Sequence, residues 1–157
     1  MAEPTSALDL TTPTRVGEPN AWAAVALQSG SIPPDAVLQG WFDRHAPKLV
    51  VSRREPTTDD ANAEKVWEFR EGEAVVGGAH FPWTIGDGKN SGPFREHVTH
   101  IFLSVSAPGR AGGREGRRLL ARAAAAIAAT GDAAFVWWGR TGGVYTIRKF
   151  VERVERR

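Results

Sequence analysis

The chain has 157 residues, which suits one domain with one core, and its 41% hydrophobic and 24% charged residues sit near globular averages. It contains no cysteine, which excludes disulfides, a thiolate nucleophile and cysteine-held metal, and leaves only histidine and carboxylates to hold zinc or iron. The net charge of +2 is unevenly placed: residues 1–96 carry nine Lys/Arg against fourteen Asp/Glu, a balance of −5, and residues 97–157 carry eleven against four, a balance of +7. The two halves can attract each other, or the basic half can attract phosphate or an acidic partner.

Residues 1–20, with Pro4, Pro13 and Pro19 and no apolar period, read as a flexible N-terminal tail ahead of a single α+β domain over 21–157. Ala21 to Leu27 is apolar throughout, as in a strand buried on both faces, although an Ala-rich run is also compatible with helix. Ser29-Gly30-Ser31 closes it. Pro33 and Pro34 open a helix around 34–46, where Val37, Leu38, Trp41, Phe42 and His45 recur at helical spacing until Pro47. Leu49 to Val51 forms a second strand, and Pro56 to Asn62 is a polar loop. From Lys65 to Ala79 the residues alternate, with Trp67 and Phe69 on one face and Glu68 and Arg70 on the other. Arg70-Glu71-Gly72-Glu73 reverses the chain, which makes a hairpin.

The organising stretch is Gly77 to Ser106, and the residues before it lead toward a sheet edge. It passes through a glycine-rich loop over Gly86–Gly92 into a strand with Ile101, Leu103 and Val105 on one face and His100, Phe102, Ser104 and Ser106 on the other. A loop from Pro108 to Gly113 precedes a helix around 114–130. There Leu119, Leu120, Ala123, Ala124, Ile127 and Ala128 line one side, and Arg114, Arg118 and Arg122 step along the opposite side. Gly131 stops the helix. Ala133 to Trp138 is a strand, Gly139 to Gly143 a turn, and Val144 to Val154 a short strand running into a basic terminal helix. The expected fold is α+β: a mainly antiparallel sheet of about five to seven strands with two main helices packed on one face, and Trp41, Trp67 and Trp137 or Trp138 in the core.

Three histidines are the weak catalytic candidates: His80, His97 and His100. His80, beside Pro82-Trp83, could act as acid or base under the Gly86–Gly92 loop; the competing reading has Phe81 and Trp83 capping the core above a plain connection. Residues three apart on a strand point to opposite faces, so His97 and His100 could turn to one ion only if the strand begins after His97; no Asp or Glu stands at a motif-like spacing, and no metal site is expected there. On the scaffold reading His100 shares a face with Phe102, His97 points away, and His80 sits by Trp83. No Ser–His–Asp set is present, Gly86 to Ser91 lacks phosphate-loop spacing, and the arginine stripe reads as a solvated helix face, so nucleic acid is not expected. No apolar run approaches the ~18 residues of a membrane span and no targeting signal stands out, so a cytoplasmic protein without membrane contact is expected. With no complete catalytic set and no cofactor implied, the leading reading is a non-catalytic binding or immunity-type protein with a protein partner.

Three motifs together carry a resemblance: His80-Phe81-Pro82-Trp83 after a hairpin, the His-x-x-His of His97 and His100 before Ile101-Phe102-Leu103, and a helix leading to Phe135-Val136-Trp137-Trp138-Gly139. Over residues 66–151 the chain resembles the bacterial domain-of-unknown-function family 4261, departing from it at His80-Phe81 and at Trp137, where tyrosine is more frequent. That resemblance implies a fold without an activity. A second one lies in Arg110 to Leu120, which resembles the pyrophosphate loop of the acetyl-CoA-dependent N-acetyltransferases, with Val144-Tyr145 to Phe150-Val151 similar to their C-terminal tyrosine segment. It implies an acyltransferase that holds acetyl-CoA through Arg110, Gly112, Gly113 and Gly116, where helix N-terminal N–H groups would meet phosphate. Glu115, a carboxylate where phosphate would sit, departs from that pattern.

Overall fold

The computed structural model describes residues 22–29, 31–53, 63–82, 97–105, 114–138 and 144–155. The expected tail, the polar loop 56–62, the glycine-rich loop 86–92, Arg110 to Gly113 and the turn 139–143 lie outside the described residues. In chain order the elements are β1 (Trp22–Leu27), α1 (Asp35–His45), β2 (Val50–Arg53), β3 (Lys65–Glu71), β4 (Ala74–Phe81), β5 (Thr99–Val105), α2 (Arg114–Thr130), β6 (Ala133–Trp138), β7 (Val144–Tyr145) and α3 (Ile147–Glu155). The strands form one seven-stranded sheet in the order β2-β3-β4-β5-β1-β6-β7, and every neighbouring pair is antiparallel. The fold is therefore α+β, with a third, shorter helix beside the two main ones.

β1 lies inside the sheet, between β5 and β6, whereas β2 forms an edge. The residues before Gly77 thus build both an interior strand and an edge. The composition of β1 suits its place: Ala23, Ala24, Val25, Ala26 and Leu27 are all buried, and three alanines leave room for larger side chains on both flanking strands.

Alternation divides the sheet into two faces. Val25, Leu27, Trp67, Phe69, Val76, Ile101, Leu103, Val105, Val136 and Trp138 turn toward the helices and join Leu38, Trp41 and Phe42 of α1, Leu119, Leu120 and Ile127 of α2, and Phe150 and Val154 of α3 in the main core. Burying one such large side chain fully is worth roughly 1.5–3 kcal/mol. Phe42 meets Phe69 edge-on at 5.9 Å, which locks α1 over β3. Gly78 is what lets that layer close: a Cβ there would stand 2.8 Å from Leu103 Cδ2 and 3.1 Å from Phe69 Cε2. The other face carries a smaller cluster of Ala24, Ala26, Phe135 and Val144. Trp22 extends it by stacking on Phe102 at 5.6 Å and meeting Trp137 edge-on at 5.0 Å.

The hairpin turns at Gly72, whose φ of 61° is left-handed and favours glycine. The edge is closed by a side chain: Gln39 of α1 donates from Nε2 to the Leu49 carbonyl at 3.0 Å and accepts the Val51 N–H on Oε1 at 3.0 Å. Its amide thereby stands in for a neighbouring strand and blunts the edge of β2. No helix among the described residues is long and apolar enough to cross a membrane.

Candidate functional site

The polar groups with the most structure around them gather at one end of the sheet, where β1, β4, β5 and the start of β3 meet the first turn of α1. His80 of β4 is paired across strands with Lys65 and with Ile101, and alternation turns it to the helix-covered face along with Val76 and Gly78. It is only 1% exposed. Its Nε2 lies 3.1 Å from Thr99 Oγ1, Thr99 donates to the Ser29 carbonyl at 3.1 Å, and Nδ1 faces Glu64 Oε2 at 3.3 Å. The backbone tightens the same corner, because the Glu64 N–H donates to the His80 carbonyl at 2.8 Å.

Next to this group stands a second one, centred on Asp35 in the first turn of α1. Asp35 Oδ1 accepts from Trp67 Nε1 at 2.9 Å and pairs with Lys65 Nζ at 2.7 Å, and Oδ2 pairs with Arg53 Nε at 3.0 Å. A carboxylate at a helix N-terminus is favourable in itself, and here it also ties α1 to β2 and β3. Burial pushes the Asp35 carboxyl up, but the hydrogen bonds from Lys65, Arg53 and Trp67 outweigh it and hold the group below its ordinary value of 3.8. His80 lies below its ordinary 6.5: burial lowers it, Glu64 pulls it up, and Lys65 lowers it again.

Glu64, His80 and Thr99 have the outline of an acid–histidine–hydroxyl triad. The chemistry does not follow, because Thr99 is 5% exposed and its one proton already goes to the Ser29 carbonyl, so toward His80 it is an acceptor and not a nucleophile awaiting a base.

The three candidate histidines do not converge. His100 lies across the sheet from His80, on the face of Phe102, with its ring 5.5 Å from that of Phe81. His97 meets Phe135 edge-on at 5.2 Å, and Phe135 belongs to the cluster on that same face, opposite α1, α2 and α3. His97 and His100 therefore share a side, contrary to the expectation that His97 points away. β5 begins only at Thr99, so strand alternation does not reach His97. Trp83 lies outside the described residues, and the partner of His80 is Thr99. Among the described residues no group of three or more His, Asp or Glu is arranged to hold a metal ion.

Of the residues assigned to a cofactor loop, only Gly116 is described, buried in the first turn of α2; Arg110, Gly112 and Gly113 lie outside. Arg117 beside it is 7% exposed, a burial that the sequence pattern did not signal. Glu64, Thr99, Asp35 and Lys65 were likewise missed as a group. No protein-family model matches the chain, and neither a curated protein nor a solved structure matches it.

The two halves of the chain meet through charge. Arg122 of α2, one of the three stripe arginines, reaches Glu71 at the end of β3 with Nη1 2.7 Å and 2.8 Å from its two carboxylate oxygens, so the acidic and basic halves do attract each other there. Arg70 pairs with Glu68, and Arg148 with Glu152. Arg118, Lys149 and Arg153 have no ion-pair partner among the described residues, and Arg118 and Lys149 are exposed.

Proposed function

We propose that this is a non-catalytic binding protein of immunity type, which offers the basic side of α2 and α3 to a protein partner with an acidic surface. One observation carries the reading: Asp35, Glu68 and Glu71 pair with lysine or arginine of the same chain, whereas Arg118, Lys149 and Arg153 on two helices that pack together face no acid among the described residues. Such charges steer association and lose strength as salt rises. The likeness to family 4261 implies a fold without an activity, and of its motif residues His80 and Phe81 lie on β4, His100 to Leu103 on β5 and Phe135 to Trp138 on β6.

The test is retention from an extract of the protein's own cells, with the wild-type chain and the R118E/K149E/R153E variant side by side. The wild type should retain a partner at low salt, release it at high salt, and lose it in the variant. An empty wild-type lane at low salt, or equal retention by the variant, refutes the reading.

A second reading keeps the acyltransferase resemblance, favoured by α2 starting at Arg114 with Gly116 buried in its first turn. Bound CoA would then stabilise the fold by about 2.7 kcal/mol at a hundred times its dissociation constant. An unchanged melting curve at millimolar CoA removes this reading.

A further inference from the structure

The groups around His80 are not all satisfied while its ring is neutral. Thr99 gives its one hydroxyl proton to the Ser29 carbonyl at 3.1 Å, so toward His80 Nε2, also at 3.1 Å, it can only accept. The ring must then carry its proton on Nε2, and a neutral imidazole has a lone pair left on Nδ1. That lone pair is buried, has no hydrogen-bond partner among the described residues, and faces Glu64 Oε2 at 3.3 Å, one acceptor against another. A second proton removes the conflict, since an imidazolium donates from both nitrogens, to Thr99 on one side and to Glu64 on the other.

We propose that His80 is a proton-operated latch at the end of the sheet: taking up a proton on Nδ1 draws in the Glu64 carboxylate and fastens the start of β3 to the ends of β4, β5 and β1, and losing it releases Glu64. Glu64 is the moving part, with its side chain 56% exposed against 1% for His80. Among the described residues, the charged groups bearing on the ring are Glu64 and Lys65, with Asp35 of α1 behind Lys65 at 2.7 Å. β5 and β1 contribute only the Thr99 hydroxyl and the Ser29 carbonyl. Burial resists the proton, Glu64 invites it and Lys65 resists it, so the latch closes on the acid side of the ordinary value of 6.5.

Side-chain ¹⁵N NMR of the full chain, labelled at histidine and titrated from alkaline to acid pH, tests this. The expected result is a His80 ring in the Nε2–H form at alkaline pH that takes its second proton on Nδ1 below pH 6.5. Glu64→Gln, at an exposed position that leaves the fold intact, should lower the midpoint further because the attracting charge is gone. A neutral ring found in the Nδ1–H form would overturn the proposal, as would a midpoint that Glu64→Gln leaves unmoved or raises. Stoichiometric Zn²⁺ binding that Glu64→Gln abolishes would overturn it too, because the lone pair would then serve a metal.

Discussion

Arg122 of α2 holds both carboxylate oxygens of Glu71, at 2.7 Å and 2.8 Å, from across the boundary between the basic and acidic halves of the chain. Both side chains are about three-quarters buried, at 24% and 23% exposure, so the contact is better shielded than a surface pair. Removing Arg122 leaves a largely buried carboxylate without its donor, and Arg122→Ala should cost about 1–2 kcal/mol in urea denaturation. A loss under about 0.3 kcal/mol would place this pair with ordinary surface bridges.

The close approach at Gly78 gives a second expectation. A methyl group there would press on Leu103 at 2.8 Å and Phe69 at 3.1 Å, in a layer that also holds Trp67 at 3.6 Å. Gly78→Ala should therefore destabilise by about 1–3 kcal/mol through overpacking. Gly72→Ala has open space around it and should cost about 1–2 kcal/mol for its left-handed φ of 61° alone. Thermal melts of the two variants check both expectations. A neutral Gly78→Ala would mean that the sheet and helices are less tightly seated than described.

Acid should weaken the fold in two stages. His80 binds its proton less readily folded than unfolded even with Glu64 drawn in, so the latch closes locally at a cost to global stability: the contribution of the neutral ring is complete above pH 6.5 and is lost as the pH falls from there through the lower folded value. Asp35 has a depressed folded value, so what it contributes above pH 3.8 disappears as the pH falls below that through its own folded value. Equilibrium unfolding at a series of pH values should show stability declining first below 6.5, and His80→Gln should flatten that first decline. Stability that rises on acidification between neutrality and pH 5 would contradict the sign assigned to His80.

The amide of Gln39 predicts a change in association. With Gln39→Ala the Val51 N–H and the Leu49 carbonyl lose their side-chain partners, and the outer edge of β2 is left open. Light scattering at rising concentration should detect edge-to-edge association in the variant before the wild type. Equal behaviour would assign edge protection to some other group.

Much of this arrangement was legible because it depends on local periodicity. The alternation of Trp67 and Phe69 against Glu68 and Arg70, with Gly72 at the turn, yields the hairpin, and counting back from that turn pairs Lys65 with His80. Leu119 to Ala128 carries the face on which α2 packs. Strand order was not legible, since β1 is joined to β5 and β6 by contacts between residues far apart in the chain. The same limit hid the site: Thr99 meets Ser29 from 70 residues away and Asp35 meets Trp67 across 32, neither at a spacing that a motif marks. His97 was misplaced because a strand rule was applied two residues before the strand begins.

The claim that the unpaired basic groups of α2 and α3 form the contact surface is tested most directly by hydrogen exchange on the partner complex retained at low salt. Binding should slow exchange in Arg114–Thr130 and Val144–Glu155 and leave β2 and the β3–β4 hairpin as in the free protein. Protection confined to β2 and the hairpin, with α2 and α3 unchanged, would contradict it.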